Sequence, residues 1–414
     1  MSRHVRTVHR GGVSPVRITP GRTIRTGAAA LALITLSACG GGGTGKADSH
    51  GPFRVLAVLP LSGALAEQAK LQMSGLQAAA DDLNGRGGIG GRKIEIASVD
   101  DKLNPTEAVS RLQSRLNGSE RPDYVLAGAT SNETLAMLPA LTNARVLSGT
   151  TASDRSMDDP KKYPYHFGYQ SANDQNYASA VRFMKTRGVR TLAFIASNDA
   201  LGTYNRSAIE NAVKGTGIKL VAQSYDSKAT DLTAPLDALR SARPDLLLAS
   251  GYGPAVGYIL DARQKLNWSV PVIGDSGFAG SNPASLVDSS ALKDVLIQTF
   301  KVAALSERGS WQPATERMVK AVAAKGPVKQ IITLAAEPYD ALQVLGVAAE
   351  QAGGTDPADL KKAMESLKRP SPVPWTTYAA YAYSTKAHFP VVNDSDFSYL
   401  PASVLVQGQF EASS

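Results

Sequence analysis

The chain has 414 residues, a formal net charge of +8, 43% hydrophobic residues and a single cysteine. That length allows two or three domains, and one cysteine excludes an internal disulfide framework. The positive balance does not build a nucleic-acid-binding face. Arg3, Arg6, Arg10, Arg17, Arg22 and Arg25 all precede residue 39 in a stretch without acids, and removing those six from +8 leaves +2 on the rest.

Behind this basic region, GAAALALITLSA at 27–38 is an apolar core too short to span a bilayer, as in a secretory signal peptide. It ends in Leu36-Ser37-Ala38-Cys39, which resembles the bacterial lipobox. The resemblance implies that residues 1–38 are a lipoprotein signal peptide and that Cys39 is diacylated on sulfur, anchoring the mature chain to the membrane. Residues 39–51 read as a flexible tether. Within them Gly40, Gly45 and Lys46 mimic a phosphate-binding loop, but Ala47 replaces the required Ser or Thr and no strand precedes it. After Cys39 there is no run of eighteen apolar residues.

The apolar run at 55–59, ended by Pro60, predicts a buried parallel strand. Ala69, Met73, Leu76, Ala80 and Leu83 form one helical stripe, with Asn84-Gly85 closing the helix in left-handed geometry. RGGIGGRK follows as a connection anchored by Ile89, and KIEIASVDD alternates as a second strand, completing a right-handed βαβ unit. Asn104-Pro105 starts a helix whose stripe is Val109, Leu112 and Leu116. A strand at 124–129, a helix carrying Leu135, Leu138 and Leu141, and a strand at 145–148 continue the alternation, which means a parallel, doubly wound sheet. The rhythm restarts with helices at 176–186, 205–214, 234–241 and 254–265 between strands at 191–196, 218–225, 245–250 and 270–274. A helical pair at 337–351 and 357–367 and closing strands at 378–384 and 403–406 complete the expected order.

LPLSG, the helix end DDLNGRGGIGGRKIEI, the acidic pair Asp100-Asp101 and the NPTEA helix start stand in an order that resembles the leucine/isoleucine/valine-binding family. Those are type I periplasmic solute-binding proteins, receptors of ABC importers. The resemblance implies an α/β fold of two doubly wound parallel-sheet lobes joined by a three-strand hinge, a Venus-flytrap. Lobe 1 is expected at 52–170 and 300–380, lobe 2 at 171–299 and 381–414. It implies a lipid-anchored extracytoplasmic receptor that closes on a small polar ligand (amino acid, amide or small carboxylate) and delivers it to an ABC permease. It implies no enzymatic activity, cofactor or nucleic-acid partner. The alternative is a sensory or regulatory lipoprotein of the same fold acting through protein contacts.

In open α/β sheets ligands bind at the carboxyl ends of strands, beside helix N-termini. Thr130-Ser131-Asn132 and the segment from Ser148 to Ser153 are polar loops at such ends, suited either to an anion or to ordinary helix capping. The resemblance matches them to the family's carboxylate-holding loops, which nominates Ser131, Asn132, Thr150, Thr151 and Ala152. From the second half it nominates Tyr252 as a wall and Asp275 with Ser276 at the ammonium position. Two departures stand out. Ser276 occupies the place of the acid carried by amino-acid binders, with Asp275 one residue earlier, and Leu201 before Gly202 replaces a wall aromatic. GDSGF at 274–278 is similar to a serine-protease nucleophile segment, but the α/β pattern and the few histidines supply no base-and-acid partner. No cluster has metal-ligand spacing. His388, in an S-x-x-x-H run, reads as solvated or structural and not as a ligand contact.

Overall fold

The structure, a computed structural model, describes residues 51–411. The signal segment, Cys39, the phosphate-loop mimic and all of the tether but Gly51 lie outside them.

Strand β1 (Phe53–Leu59) is buried at six of its seven positions, and its pleat sends alternate residues to opposite faces. Val55 and Ala57 join one apolar cluster while Leu56 and Val58 join another. Then come α1 (Ala66–Asn84), β2 (Ile94–Asp100), α2 (Pro105–Leu116), β3 (Tyr124–Ala127), α3 (Ser131–Ala144), β4 (Leu147–Thr150) and β5 (His166–Gly168). These strands form a five-stranded sheet, all parallel, in the order β2-β1-β3-β4-β5. A second α/β body follows: α4 (Asn173–Thr186), β6 (Thr191–Ser197), α5 (Ala200–Ala212), β7 (Lys219–Tyr225), α6 (Thr233–Arg240), β8 (Leu246–Ala249), α7 (Ala255–Lys265), β9 (Val272–Gly274), α8 (Ser276–Gly280) and β10 (Val295–Phe300). The chain returns as α9 (Pro313–Ala323), α10 (Thr333–Ala352) and α11 (Pro357–Met364) and ends in β11 (Phe397–Pro401). The second sheet has the order β11-β10-β9-β8-β6-β7, parallel except for β11.

Helix α10 lies along α1, so it belongs with the first sheet. The approach is close enough that a Cβ added at Gly75 would fall 2.0 Å from the Ala335 carbonyl oxygen. The chain therefore passes between the two bodies three times, after β5, after β10 and before β11. Two doubly wound lobes on a three-strand hinge is the architecture expected from the sequence.

Three local expectations fail. The end of α1 is not left-handed at Gly85, whose φ is −63°. Positive φ comes at Gly87 and Gly88, because Asn84 remains helical and uses its side chain to tie the helix end to Ile94 through both amide atoms. Residues 378–384 are not a strand. Tyr378, Tyr381 and Tyr383 look alternating, but their rings pack edge-on or tilted around one another and their hydroxyls bind other elements. Tyr378 accepts from Ser171 N (2.8 Å), Tyr381 donates to Asp340 (2.8 Å) and Tyr383 to Gly168 O (2.6 Å). This is a strap over the hinge. Finally, 403–406 does not close the second sheet. Phe397–Pro401 already takes the free edge of β10, leaving Val404 74% exposed and Val406 in a turn with Gln409.

Candidate ligand site

The carboxyl ends of β3 and β4 face those of β6, β8 and β9 across the cleft, and a cavity of about 90 Å³ lies between them. Residues 131 and 151–153 line it from the first lobe and Tyr252, Asp275 and Ser276 from the second, with Leu201 also in the wall.

On the first lobe, Ser131 is the first residue of α3, and its fully buried hydroxyl has no partner among the described residues. Thr130 sits at the N-cap but does not cap, because its hydroxyl donates to the Glu133 carboxylate instead. The N–H groups that open a helix have no intrahelical acceptor and carry the positive end of its dipole. Thr130 leaves them uncapped and the buried Glu133 carboxylate lies at its own N–H, so those of Ser131 and Asn132 are the ones that favour an anion. Thr151 accepts from Gln72 Nε2 (2.9 Å), while Gln72 Oε1, also buried, has no partner.

Thr150 and Asn132 do not line this cavity. The Thr150 hydroxyl turns away to meet Thr134 Oγ1 (3.1 Å) and to accept from Ala152 N (3.0 Å). It shapes the loop and does not face the cleft. Asn132 faces a wider groove of about 720 Å³ at the cleft mouth, shared with Leu135, Asp199 and Tyr258.

The second lobe's wall is internally satisfied. Asp275, 2% exposed, accepts from Phe278 N (3.0 Å), capping α8, and from the Tyr177 hydroxyl (2.8 Å). Burial holds its carboxyl above the usual range, with these hydrogen bonds pulling the other way. Asn173 donates to Asn205 (2.9 Å) and Asn205 to Ser250 (2.9 Å), and the Ser276 hydroxyl reaches Asn173 at 3.4 Å. Tyr252 donates to Asp199, whose other oxygen caps α5 through Gly202 N (2.8 Å). Burial pushes the Tyr252 hydroxyl pKa well up, so its ring is a neutral wall with a fixed orientation.

Gln72, Asn173, Asn205 and Glu337 line the cavity too, outside the loops nominated from the sequence. The amides carry no motif. Glu337 is 2% exposed in α10, and its Oε1 is buried without a partner. Burial first, and the neighbouring Asp340 second, raise its pKa well above the usual carboxyl value.

His388, just beyond the strap, is fully buried, stacked on Phe167 at 4.0 Å between ring centroids and bonded to His166 O (2.9 Å) and Glu365 (3.1 Å). Among the described residues there is no cluster of three or more His, Cys, Asp or Glu able to hold a metal, and no helix is long and apolar enough to cross a membrane. The cavity thus offers unpaired hydrogen-bonding groups on one side and a preset polar network on the other, an arrangement for holding a small molecule.

A family model described as periplasmic binding protein matches residues 52–391. The chain is 22% identical over 310 residues to the leucine-, isoleucine-, valine-, threonine- and alanine-binding protein of Pseudomonas aeruginosa, covering 74% of this chain and 80% of that one. It is also 22% identical over 318 residues to the Leu/Ile/Val-binding protein of Escherichia coli K12, covering 76% and 83%. Among solved structures, a type 1 periplasmic binding protein from Bordetella pertussis superposes with a TM-score of 0.73 at 22% identity, covering 84% of this chain and 96% of that one. The branched-chain amino acid transporter substrate binding protein LivJ from Streptococcus pneumoniae, in complex with isoleucine, gives 0.71 at 19% identity, covering 87% and 98%. An ABC transporter solute binding protein from Rhodopseudomonas palustris, in complex with benzoate, gives 0.68 at 20% identity, covering 86% and 98%.

Proposed function

Because the chain belongs to the periplasmic binding protein family, we propose that it is an extracytoplasmic receptor that captures a small carboxylate-bearing ligand between its lobes and presents it to an ABC permease. The observation that carries this reading is the asymmetry of the cleft. The first lobe presents the buried Ser131 hydroxyl, without a partner among the described residues, at the start of α3, which no N-cap side chain caps, opposite a wall whose polar groups are already paired. Buried polar groups left unpaired are costly, so a ligand that pairs them is bound preferentially. Isoleucine and benzoate, bound in two of the three solved structures named above, share only a carboxylate as a polar group.

No covalent step is required. The two bodies, residues 52–170 with 300–380 and residues 171–299 with 381–414, close about the crossings by hinge motion, and the closed form is what the permease recognises. Ser131, Thr151 and Ala152 receive the carboxylate, and Tyr252 supplies a wall from the other lobe. Thr150 supports this loop from behind and Asn132 stands at the entrance. A diacylated Cys39 holds the receptor at the membrane, since two acyl chains suffice for stable anchoring where one does not. Intact-mass measurement of the mature protein checks that part, an unmodified cysteine contradicting it.

A thermal-shift screen of amino acids, amides and small carboxylates tests the receptor reading. A ligand at a hundred times its dissociation constant stabilises the native state by about 2.7 kcal/mol, so a true ligand raises the melting temperature in a dose-dependent way. A screen in which nothing does so contradicts the reading.

A further inference from the structure

We propose that Glu337 and Gln72 form a subsite for a cationic nitrogen, so that the ligand is a zwitterion with its carboxylate at α3 and its ammonium on the α1–α10 face of the same lobe. This rests on the receptor reading above and specifies the charge that such a ligand must carry.

Four observations converge on it. Of the two carboxyl groups lining the cavity, Asp275 has both oxygens committed, one to the α8 cap and one to Tyr177, so the group expected from the sequence to meet an ammonium is already in use. Glu337 makes no side-chain hydrogen bond among the described residues and is 2% exposed. Gln72 Oε1, on the helix packed against α10, is a second buried acceptor without a partner, and its side chain lines the same cavity. No lysine or arginine lines the cavity. An ammonium brings three donors and no acceptor, which suits two orphan acceptors. A buried charge is tolerated when paired and hydrogen-bonded, and a ligand cation supplies that pairing.

The groups around Glu337 sharpen the expectation. Asp340, one turn along α10, is held by Thr376 N, Thr377 N and the Tyr381 hydroxyl. Tyr378 comes from the strap, and α1 contributes Gln68 and Gln72, neither titratable. No lysine or arginine lines the cavity to offset a Glu337 carboxylate, and burial with Asp340 raises its pKa, shifting the empty cavity towards the protonated form. A cation entering beside it pulls the proton off. Binding therefore releases a proton, and affinity rises with pH through the range where unliganded Glu337 titrates.

The test is titration calorimetry with matched probes, L-leucine against 4-methylpentanoate and 4-aminobutanoate against butanoate, in phosphate and in Tris at one pH. For at least one pair the amine-bearing member is expected to bind tighter by on the order of a hundredfold, with buffer-dependent heat showing proton release. E337Q, equal in size and uncharged, should remove both the preference and the proton release, its melting temperature without ligand showing that it folds. Acids that bind through Ser131 with no preference for the amine, or a preference that E337Q leaves intact, would overturn the subsite while the receptor reading stands. No binding by any member of either pair overturns the zwitterion assignment, and only a blank thermal-shift screen removes the receptor reading with it.

Discussion

Alanine at Ser131 and alanine at Thr150 remove hydroxyls only nineteen positions apart, one opening α3 and the other ending β4, yet the two changes should act in opposite ways. The Ser131 hydroxyl is buried with no partner, so without ligand nothing is lost with it. Leaving a buried polar group unsatisfied costs about 1–3 kcal/mol, and Ser131→Ala should therefore leave stability unchanged or raise it by up to about 1 kcal/mol. With ligand the sign reverses. A hydrogen bond to a charged group is worth about 1.5–3 kcal/mol, or roughly a ten- to hundredfold loss of affinity. Thr150 is the mirror case. Its hydroxyl holds Thr134 and the Ala152 N–H, and removing it strands that N–H, while Thr134 keeps its bonds to Ala127 O and Thr130 O. Two bonds at about 1 kcal/mol each place the loss of stability near 2 kcal/mol. Urea unfolding of the unliganded variants and calorimetry with the strongest ligand from the thermal-shift screen read both quantities. If Ser131→Ala destabilises the empty protein as much as Thr150→Ala and leaves affinity untouched, the Ser131 hydroxyl is structural and the anion site is misplaced.

Three other perturbations have defined outcomes. Asp275→Ala removes the α8 cap and strands the Tyr177 hydroxyl, so urea unfolding should show a loss of about 2–3 kcal/mol, and amine-bearing and des-amino ligands should weaken alike. Gly75→Ala drives a methyl into the Ala335 carbonyl, and overpacking of this kind costs about 1–3 kcal/mol, measurable as a lower melting temperature. His166, fully buried and beside His388, has its pKa pushed down to about 3. It therefore stays neutral in the native state while the unfolded chain takes up a proton below about pH 6.5, and its contribution is lost on acidification from there towards pH 3 at up to about 1.4 kcal/mol per pH unit. The melting temperature of His166→Asn should accordingly fall less steeply than wild type over that window.

The alternation of strands and helices was legible because parallel strands covered on both faces are unbroken apolar runs, as in β1, β3 and β8. The polar loop at Ser131 was legible for a related reason, since it follows directly on such a run. Which hydroxyl faces the cleft was not, because Ser131 and Thr150 differ only in side-chain direction, and that is settled by Thr134 and Ala152 across the turn. Tyr378, Tyr381 and Tyr383 imitate a strand because burial of every second or third aromatic looks the same whether the partner is a neighbouring strand or a hinge. Glu337 is the most instructive miss. Pro338 marks Glu337 as a helix start, where an acid is usually solvated and favourable, but α10 begins at Thr333 and carries the proline within it. Packing of α10 on α1 then buries the carboxyl, and no local pattern reports that packing.

Capture between two hinged lobes is the central claim, and small-angle scattering of the purified full-length protein tests it most directly. With the ligand giving the largest thermal shift at saturating concentration, the radius of gyration should fall relative to the empty protein, and Tyr252→Ala should require more ligand to reach the same contraction. A ligand whose binding calorimetry confirms, but which leaves the scattering profile unchanged at saturation, would contradict capture by closure.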